Sequence, residues 1–168
     1  MDDQNKRAFF LLFGVPLTIR IVIFLVQSSG LLQAGVLESE GDRIIGEDTV
    51  QLGKIYFYTS MDAVLIEAEE SRKPVFVYVD SNYCSWCKKF EAESFNDERI
   101  VESLNNNFET LAVNTARQPA IASSLNIRGT PTAIFLRLDG SEMNEMRLFG
   151  YVDSDTFLNR LDAVVSAN

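Results

Sequence analysis

Residues 74–87 read Pro74-Val75-Phe76-Val77-Tyr78-Val79-Asp80-Ser81-Asn82-Tyr83-Cys84-Ser85-Trp86-Cys87. The first six are a continuous apolar, β-branched and aromatic run, the pattern of a strand buried on both faces. The two cysteines at its far end are the only two in 168 residues. After them come Lys88-Lys89-Phe90-Glu91-Ala92-Glu93, good helix formers. Strand, short loop and a helix opening at the cysteines put Cys84 at a helix N-terminus and Cys87 one turn along the same face. Two sulfurs so placed can pass between dithiol and disulfide with little backbone movement. The helix end favours a thiolate on Cys84, which makes it the nucleophile and leaves Cys87 to resolve the mixed disulfide.

A second landmark follows at Gly129-Thr130-Pro131, directly before the strand-like Thr132-Ala133-Ile134-Phe135-Leu136. Proline cannot donate to a sheet ladder, so Pro131 marks a strand start or a special turn. With these two landmarks the chain resembles the thioredoxin superfamily, and within it the C-terminal, periplasmic thioredoxin-like domain of the DsbD electron-transfer proteins. The resemblance spans about residues 54–166. Besides the two landmarks it rests on Leu65-Ile66-Glu67-Ala68, Lys73-Pro74-Val75, Ser94-Phe95-Asn96-Asp97, Gly150-Tyr151-Val152-Asp153 and Thr156-Phe157. It implies an α/β thioredoxin fold, a central mixed β-sheet with helices on both faces. It also implies that Pro131 is cis beside the sulfurs, and that Thr130 and Pro131 form an edge where an extended substrate peptide docks. Trp86 and Tyr83 flank the cysteines; each is either a platform for peptide partners or apolar cover for the disulfide, and Trp86 is counted with the substrate-binding residues.

One departure concerns proton handling. Many members carry a buried aspartate six residues before the first cysteine, where this chain has Tyr78. The lysine often found opposite aligns with Ala112. Asp80, two residues after Tyr78 and on the same strand face by parity, is a candidate proton relay, a solvated loop aspartate being the alternative.

Composition narrows the chemistry. The chain has 15 basic and 24 acidic residues, a net charge of −9, and no histidine. Histidine-based acid–base catalysis and histidine metal sites are thereby excluded. Two cysteines alone do not close a structural zinc site, so no metal and no cofactor is expected. Residues 47–168 carry a net charge of −8, without a basic patch that would suggest nucleic acid. A purely structural disulfide is the plain alternative to a redox pair, but so short a loop constrains the unfolded chain little.

The N-terminal region reads differently. Lys6-Arg7 precedes two apolar runs, residues 8–19 and 21–26, interrupted by Arg20. As a helix, residues 8–26 would be ~28 Å long, enough to span a bilayer core. The basic pair before it and Glu38, Glu40 and Asp42 after it orient the remainder outside. A signal peptide cleaved after Gly30 is the alternative. The expected organisation is therefore residues 1–27 as a transmembrane anchor or signal peptide, 28–53 as a linker and 54–168 as the thioredoxin-like domain. Within that domain Ser60 is an N-cap for a helix to about Arg72, with Ala63, Ile66 and Glu67 spaced along it. The expected function is a membrane-anchored, extracytoplasmic protein thiol–disulfide oxidoreductase, reductive because of the DsbD-like segments. Its partners would be proteins with disulfides or thiols and a membrane or soluble redox partner. A cytochrome c maturation thioredoxin and a non-catalytic peptide-binding or chaperone module on the same fold are the rivals.

Overall fold

The apolar run becomes β4, Val75–Asp80, the central strand of a seven-stranded mixed sheet. The computed structural model describes residues 44–46 and 48–168. In chain order the elements are β1 Ile44–Gly46, β2 Thr49–Leu52, β3 Ile55–Tyr58, α1 Met61–Ser71, β4, α2 Ser85–Ser94, α3 Glu98–Asn107, β5 Glu109–Asn114, α4 Pro119–Ser124, β6 Thr132–Leu136, β7 Leu148–Phe149 and α5 Ser154–Ala167. A single 3-10 turn, Asn144–Met146, precedes β7. The strand order is β1-β2-β3-β5-β4-β6-β7. β3, β5 and β4 run parallel, and the outer pairings on both sides are antiparallel.

Alternation along β4 sorts the core into two layers. Phe76 and Tyr78 face one side with Ile55, Phe57, Ala133 and Phe135, covered by Cys87 and Phe90 of α2, Ile100 and Leu104 of α3, and Phe157, Leu161 and Val164 of α5. Val75, Val77 and Val79 face the other with Leu111, Val113, Ile134 and Leu136, covered by Val64 and Ala68 of α1 and Ala122 of α4. Each fully buried side chain of this size contributes roughly 1.5–3 kcal/mol. Side-chain caps define the helix starts. Ser60 Oγ accepts from the Ala63 amide, Asp97 from Arg99 and Asp153 from Thr156.

One expectation is corrected. The stretch read as linker contains β1 and β2, so the part of it from Ile44 onward belongs to the sheet. β2 and β3 form a hairpin with Leu52 opposite Ile55 and Gly53-Lys54 as its turn. Gly53 has φ +58°, and a Cβ there would lie 2.5 Å from the Phe95 carbonyl oxygen, so only glycine fits. The helix capped by Ser60 is α1, as expected. Val64 and Ala68 face the sheet, whereas Ile66 is 61% exposed. Among the described residues no helix is long and apolar enough to cross a membrane. Residues 8–26, read as an anchor, lie outside the described residues.

Candidate redox site

Register brings the site together. β4 and β6 are antiparallel with Val79 opposite Thr132, so the end of β4 lies beside the start of β6. β6 pairs with β7 through Thr132 and Phe149, which adds residues 150–151 to the same edge. The loop after β4, the Pro131 loop and the segment after β7 therefore converge on one end of the sheet. The Thr130–Pro131 bond is cis, as the resemblance implied. Thr130 Oγ1 and Ser81 Oγ are 2.9 Å apart, a hydrogen bond tying the two loops. The Gly150 amide donates to the Pro131 carbonyl at 2.8 Å, and Thr132 Oγ1 donates to the Gly129 carbonyl at 2.8 Å.

Cys84 and Cys87 are joined in a disulfide. Cys84 is the N-cap of α2, and its sulfur accepts from the Cys87 amide at 3.0 Å. It is half-buried, while Cys87 is 1% exposed beneath it. The two cysteines thus occupy the unequal positions that the spacing predicted. An N–H aimed at Cys84 Sγ at a helix start favours a thiolate there once the bond is reduced, whereas Cys87 lies inside the helix, away from its end.

The aromatic flanks separate. Tyr83 is fully exposed, and Trp86 is 57% exposed with its ring 5.4 Å from that of Tyr151. Lys89 Nζ lies 4.4 Å from the Tyr151 ring centre and 5.5 Å from that of Trp86, a shared cation–π contact. The Tyr151 hydroxyl donates to Glu93, whose acceptance of that bond pushes the phenol up to about 12. Trp86 is thus braced as a wall beside the disulfide, with more than half of its surface left to solvent. Sequence reasoning did not single out Tyr151 in this role; its position two residues after the exposed Phe149 of β7 is visible only with the sheet register.

Beneath the cysteines, Tyr78 is 1% exposed and pairs with Ala112 across β4 and β5, at the two positions where the family often places an aspartate and a lysine. Its hydroxyl donates toward Glu91 Oε1 at 3.0 Å and the Cys87 carbonyl at 3.3 Å. Burial first, then the Glu91 carboxylate, push this phenol far above the ordinary tyrosine range, so it remains a donor. Glu91 is a second residue that sequence reasoning passed over, since a glutamate in a helix reads as solvated. Asp80 ends β4 on the Tyr78 side; its Oδ1 accepts from Asn114 Nδ2 at 3.0 Å, the side chain opposite it in the parallel register. Among the described residues no group of three or more Cys, Asp or Glu side chains is placed to hold a metal ion.

Comparison with known proteins agrees with this geometry. The model of the thioredoxin-like domain family matches residues 61–165. The thiol:disulfide interchange protein DsbD of Yersinia pestis is 30% identical over 104 residues, 60% of this chain and 17% of that protein. DsbD of Salmonella typhimurium is 26% identical over 145 residues, 82% of this chain and 25% of that protein. The chain thus spans a quarter or less of these relatives. Among solved structures, a thioredoxin from Thermus thermophilus superposes with a TM-score of 0.57 at 25% identity, covering 63% of this chain and 84% of that one. The oxidised C-terminal domain of Neisseria meningitidis DsbD gives 0.53 at 20% identity, covering 64% and 97%, a likeness of fold. The chain belongs to the thioredoxin-like family, as a relative of DsbD with the Cys84–Cys87 pair of a thiol–disulfide oxidoreductase.

Proposed function

We propose that this chain is a membrane-anchored, extracytoplasmic protein-disulfide reductase. One observation carries the chemistry: a half-buried sulfur caps a helix, a buried sulfur lies one turn below, and the cis-Pro131 loop is tied to the loop before Cys84 by the Thr130–Ser81 hydrogen bond. In the reduced protein the Cys84 thiolate attacks a substrate disulfide, and one substrate sulfur leaves as a thiolate and takes up a proton. Cys87 then loses its proton and attacks Cys84 Sγ. The mixed disulfide breaks, the second substrate sulfur leaves, and the Cys84–Cys87 bond forms. Two electrons pass from the protein to the substrate. Thr130 and Pro131 offer the backbone edge along which the substrate strand aligns, and Trp86 the apolar wall. The DsbD relatives support the reductive direction, with a membrane or soluble dithiol partner restoring the reduced pair.

Residues 8–26 are the anchor, with Lys6-Arg7 inside and the domain outside; the apolar length and the charge distribution support this reading. The purified chain should reduce insulin with dithiothreitol as electron source, and Cys84→Ser should abolish this. Full activity in Cys84→Ser would refute the assignment. Fractionation tests the anchor: the full chain belongs in the membrane with its domain open to external protease, and a soluble cytoplasmic product would refute it.

A further inference from the structure

The cis-Pro131 loop is fastened at its far end, where it enters β6, by the Thr130–Ser81, Gly150–Pro131 and Thr132–Gly129 hydrogen bonds. Its near end leaves α4 at Leu125. A helix end leaves carbonyls without partners in the helix. Here the chain closes most of them itself. Asn126, in the left-handed region with φ +52°, donates its amide to the Ser123 carbonyl at 3.0 Å, and Ile127 donates to Ala122 at 3.2 Å, a Schellman closure. The Leu125 carbonyl is taken by a distant side chain: Arg147 Nη2 donates to it at 2.9 Å. That oxygen and the Asn126 amide belong to one peptide plane. Fixing both therefore fixes the direction in which the loop sets out.

Arg147 can do this because it is itself fixed. Its Nε and Nη2 donate to Oε1 and Oε2 of Glu142, each at 2.6 Å, the two-pronged pairing of a planar guanidinium with a carboxylate. Nη2 carries two hydrogens, one for Glu142 and one for Leu125. The Arg147 and Glu142 side chains are only 10% and 17% exposed. Glu142 is anchored in turn. It bridges Leu136 at the end of β6, and Arg137 Nη1 donates to its carbonyl at 3.0 Å. Arg147 leads into β7, whose Phe149 pairs with Thr132, and the Phe149 ring lies 5.6 Å from the guanidinium. One side chain thus locks the end of α4 to the two strands that flank Pro131.

On the oxidoreductase reading above, we infer that Arg147 is a positioning residue for the substrate-docking edge. With Glu142 it sets the α4 end of the loop, so that the Thr130 backbone stays where a substrate strand aligns. The effect is selective. A protein disulfide presented on an extended strand uses that edge, whereas a small aromatic disulfide reaches Cys84 without lying along it. An ion pair that served the fold alone would treat the two alike.

The test compares two second-order rate constants of the reduced full-length chain, one with insulin and one with dithiobis(nitrobenzoate). Arg147→Lys keeps the charge but loses the planar fork, so it cannot serve Glu142 and Leu125 in the same way. Its insulin rate should fall about tenfold relative to its dithiobis(nitrobenzoate) rate, the worth of about one edge hydrogen bond. Glu142→Gln weakens the clamp while leaving Arg147 in place, and should move the ratio in the same direction by less. If Arg147→Lys does not fold, the Glu142→Gln ratio decides in its stead. A wild-type ratio in the deciding variant, or equal slowing with both disulfides, would overturn the inference. So would a wild type that reduces dithiobis(nitrobenzoate) but not insulin, since no docking edge would then be in use. A wild type that reduces neither would instead remove the oxidoreductase reading, and this inference with it.

Discussion

The two faces of the sheet are built from different materials. One side of β4 is aromatic: Phe76 alone touches the rings of Phe57, Phe95, Phe135 and Phe157, at 5.3–6.4 Å between ring centres. The buried residues of the other side are aliphatic, valine, leucine, isoleucine and alanine, with Tyr58 and Met61 only partly buried against them. Both cysteines, the Tyr78–Glu91 bond and the braced Trp86 belong to α2 and the aromatic side. The aliphatic face anchors α1 and α4 and carries none of the groups that the chemistry uses. Large flat side chains leave one polar atom, the Tyr78 oxygen, inside an apolar layer and aim it at α2. Branched aliphatic side chains offer no such atom. Changes on the aromatic face should therefore move chemistry and stability together, and changes on the aliphatic face stability alone.

The largest expected effect is chemical. Cys87→Ser should retain the fold and lose turnover, accumulating a mixed disulfide through Cys84 that gel electrophoresis under non-reducing conditions detects. If Cys84→Ser traps partners equally well, the two sulfurs do not have the unequal roles that their burial assigns. Next comes Phe76→Ala, which opens a cavity at the centre of the aromatic layer and should cost about 3–5 kcal/mol in urea unfolding. It should also shift the reduction potential of the Cys84–Cys87 pair, because Phe157 and Phe95 pack on both Phe76 and the Phe90 of α2. On the opposite face Ile134→Val should cost only about 0.5–1.5 kcal/mol and leave that potential where it was. An unchanged potential in Phe76→Ala, or a shifted one in Ile134→Val, would break the division between the faces.

That division was partly legible before any coordinates. The run Val75–Val79 announces a central strand, and Cys84 and Pro131 identify the ends of two strands. Their meeting follows once those strands are antiparallel neighbours. The caps Ser60, Asp97 and Asp153 are of residue types whose side chains accept from a first-turn amide, so cap chemistry alone points to them. β1 and β2 were not, because residues 44–52 mix polar and apolar side chains. Their signal lay in the alternation of Val50 and Leu52 with Ile55 and Phe57 across Gly53. α1 carries apolar residues in more than one helical phase, and only the sheet surface chose Val64 and Ala68 over the exposed Ile66. Glu91 was invisible for a different reason. Only the position of Tyr78 in three dimensions shows that one hydroxyl reaches both the Glu91 carboxylate and the Cys87 carbonyl.

The smallest expected effect concerns acid, and it follows from how the helices on each face begin. On the aromatic side α3 is capped by Asp97 and α5 by Asp153, both carboxylates; on the aliphatic side α1 is capped by the hydroxyl of Ser60. The Arg99 side chain bonded to Asp97 lowers that carboxyl, and the Thr156 amide donating to Asp153 lowers the other. A carboxyl whose folded pKa lies below its unfolded value of about 3.9 stabilises the fold fully above that value. The contribution disappears as pH falls through the depressed folded pKa. Ser60 does not titrate, so the start of α1 has no corresponding loss. Amide exchange protection, corrected for the intrinsic pH dependence, should therefore weaken at the first turns of α3 and α5 below about pH 4 while α1 holds. Asp153→Asn keeps a capping oxygen but removes the charge. It should level the acid response of α5 and leave that of α3 intact. If α1 frays at the same pH as α3 and α5, acid acts on the sheet as a whole and the caps do not distinguish its two faces.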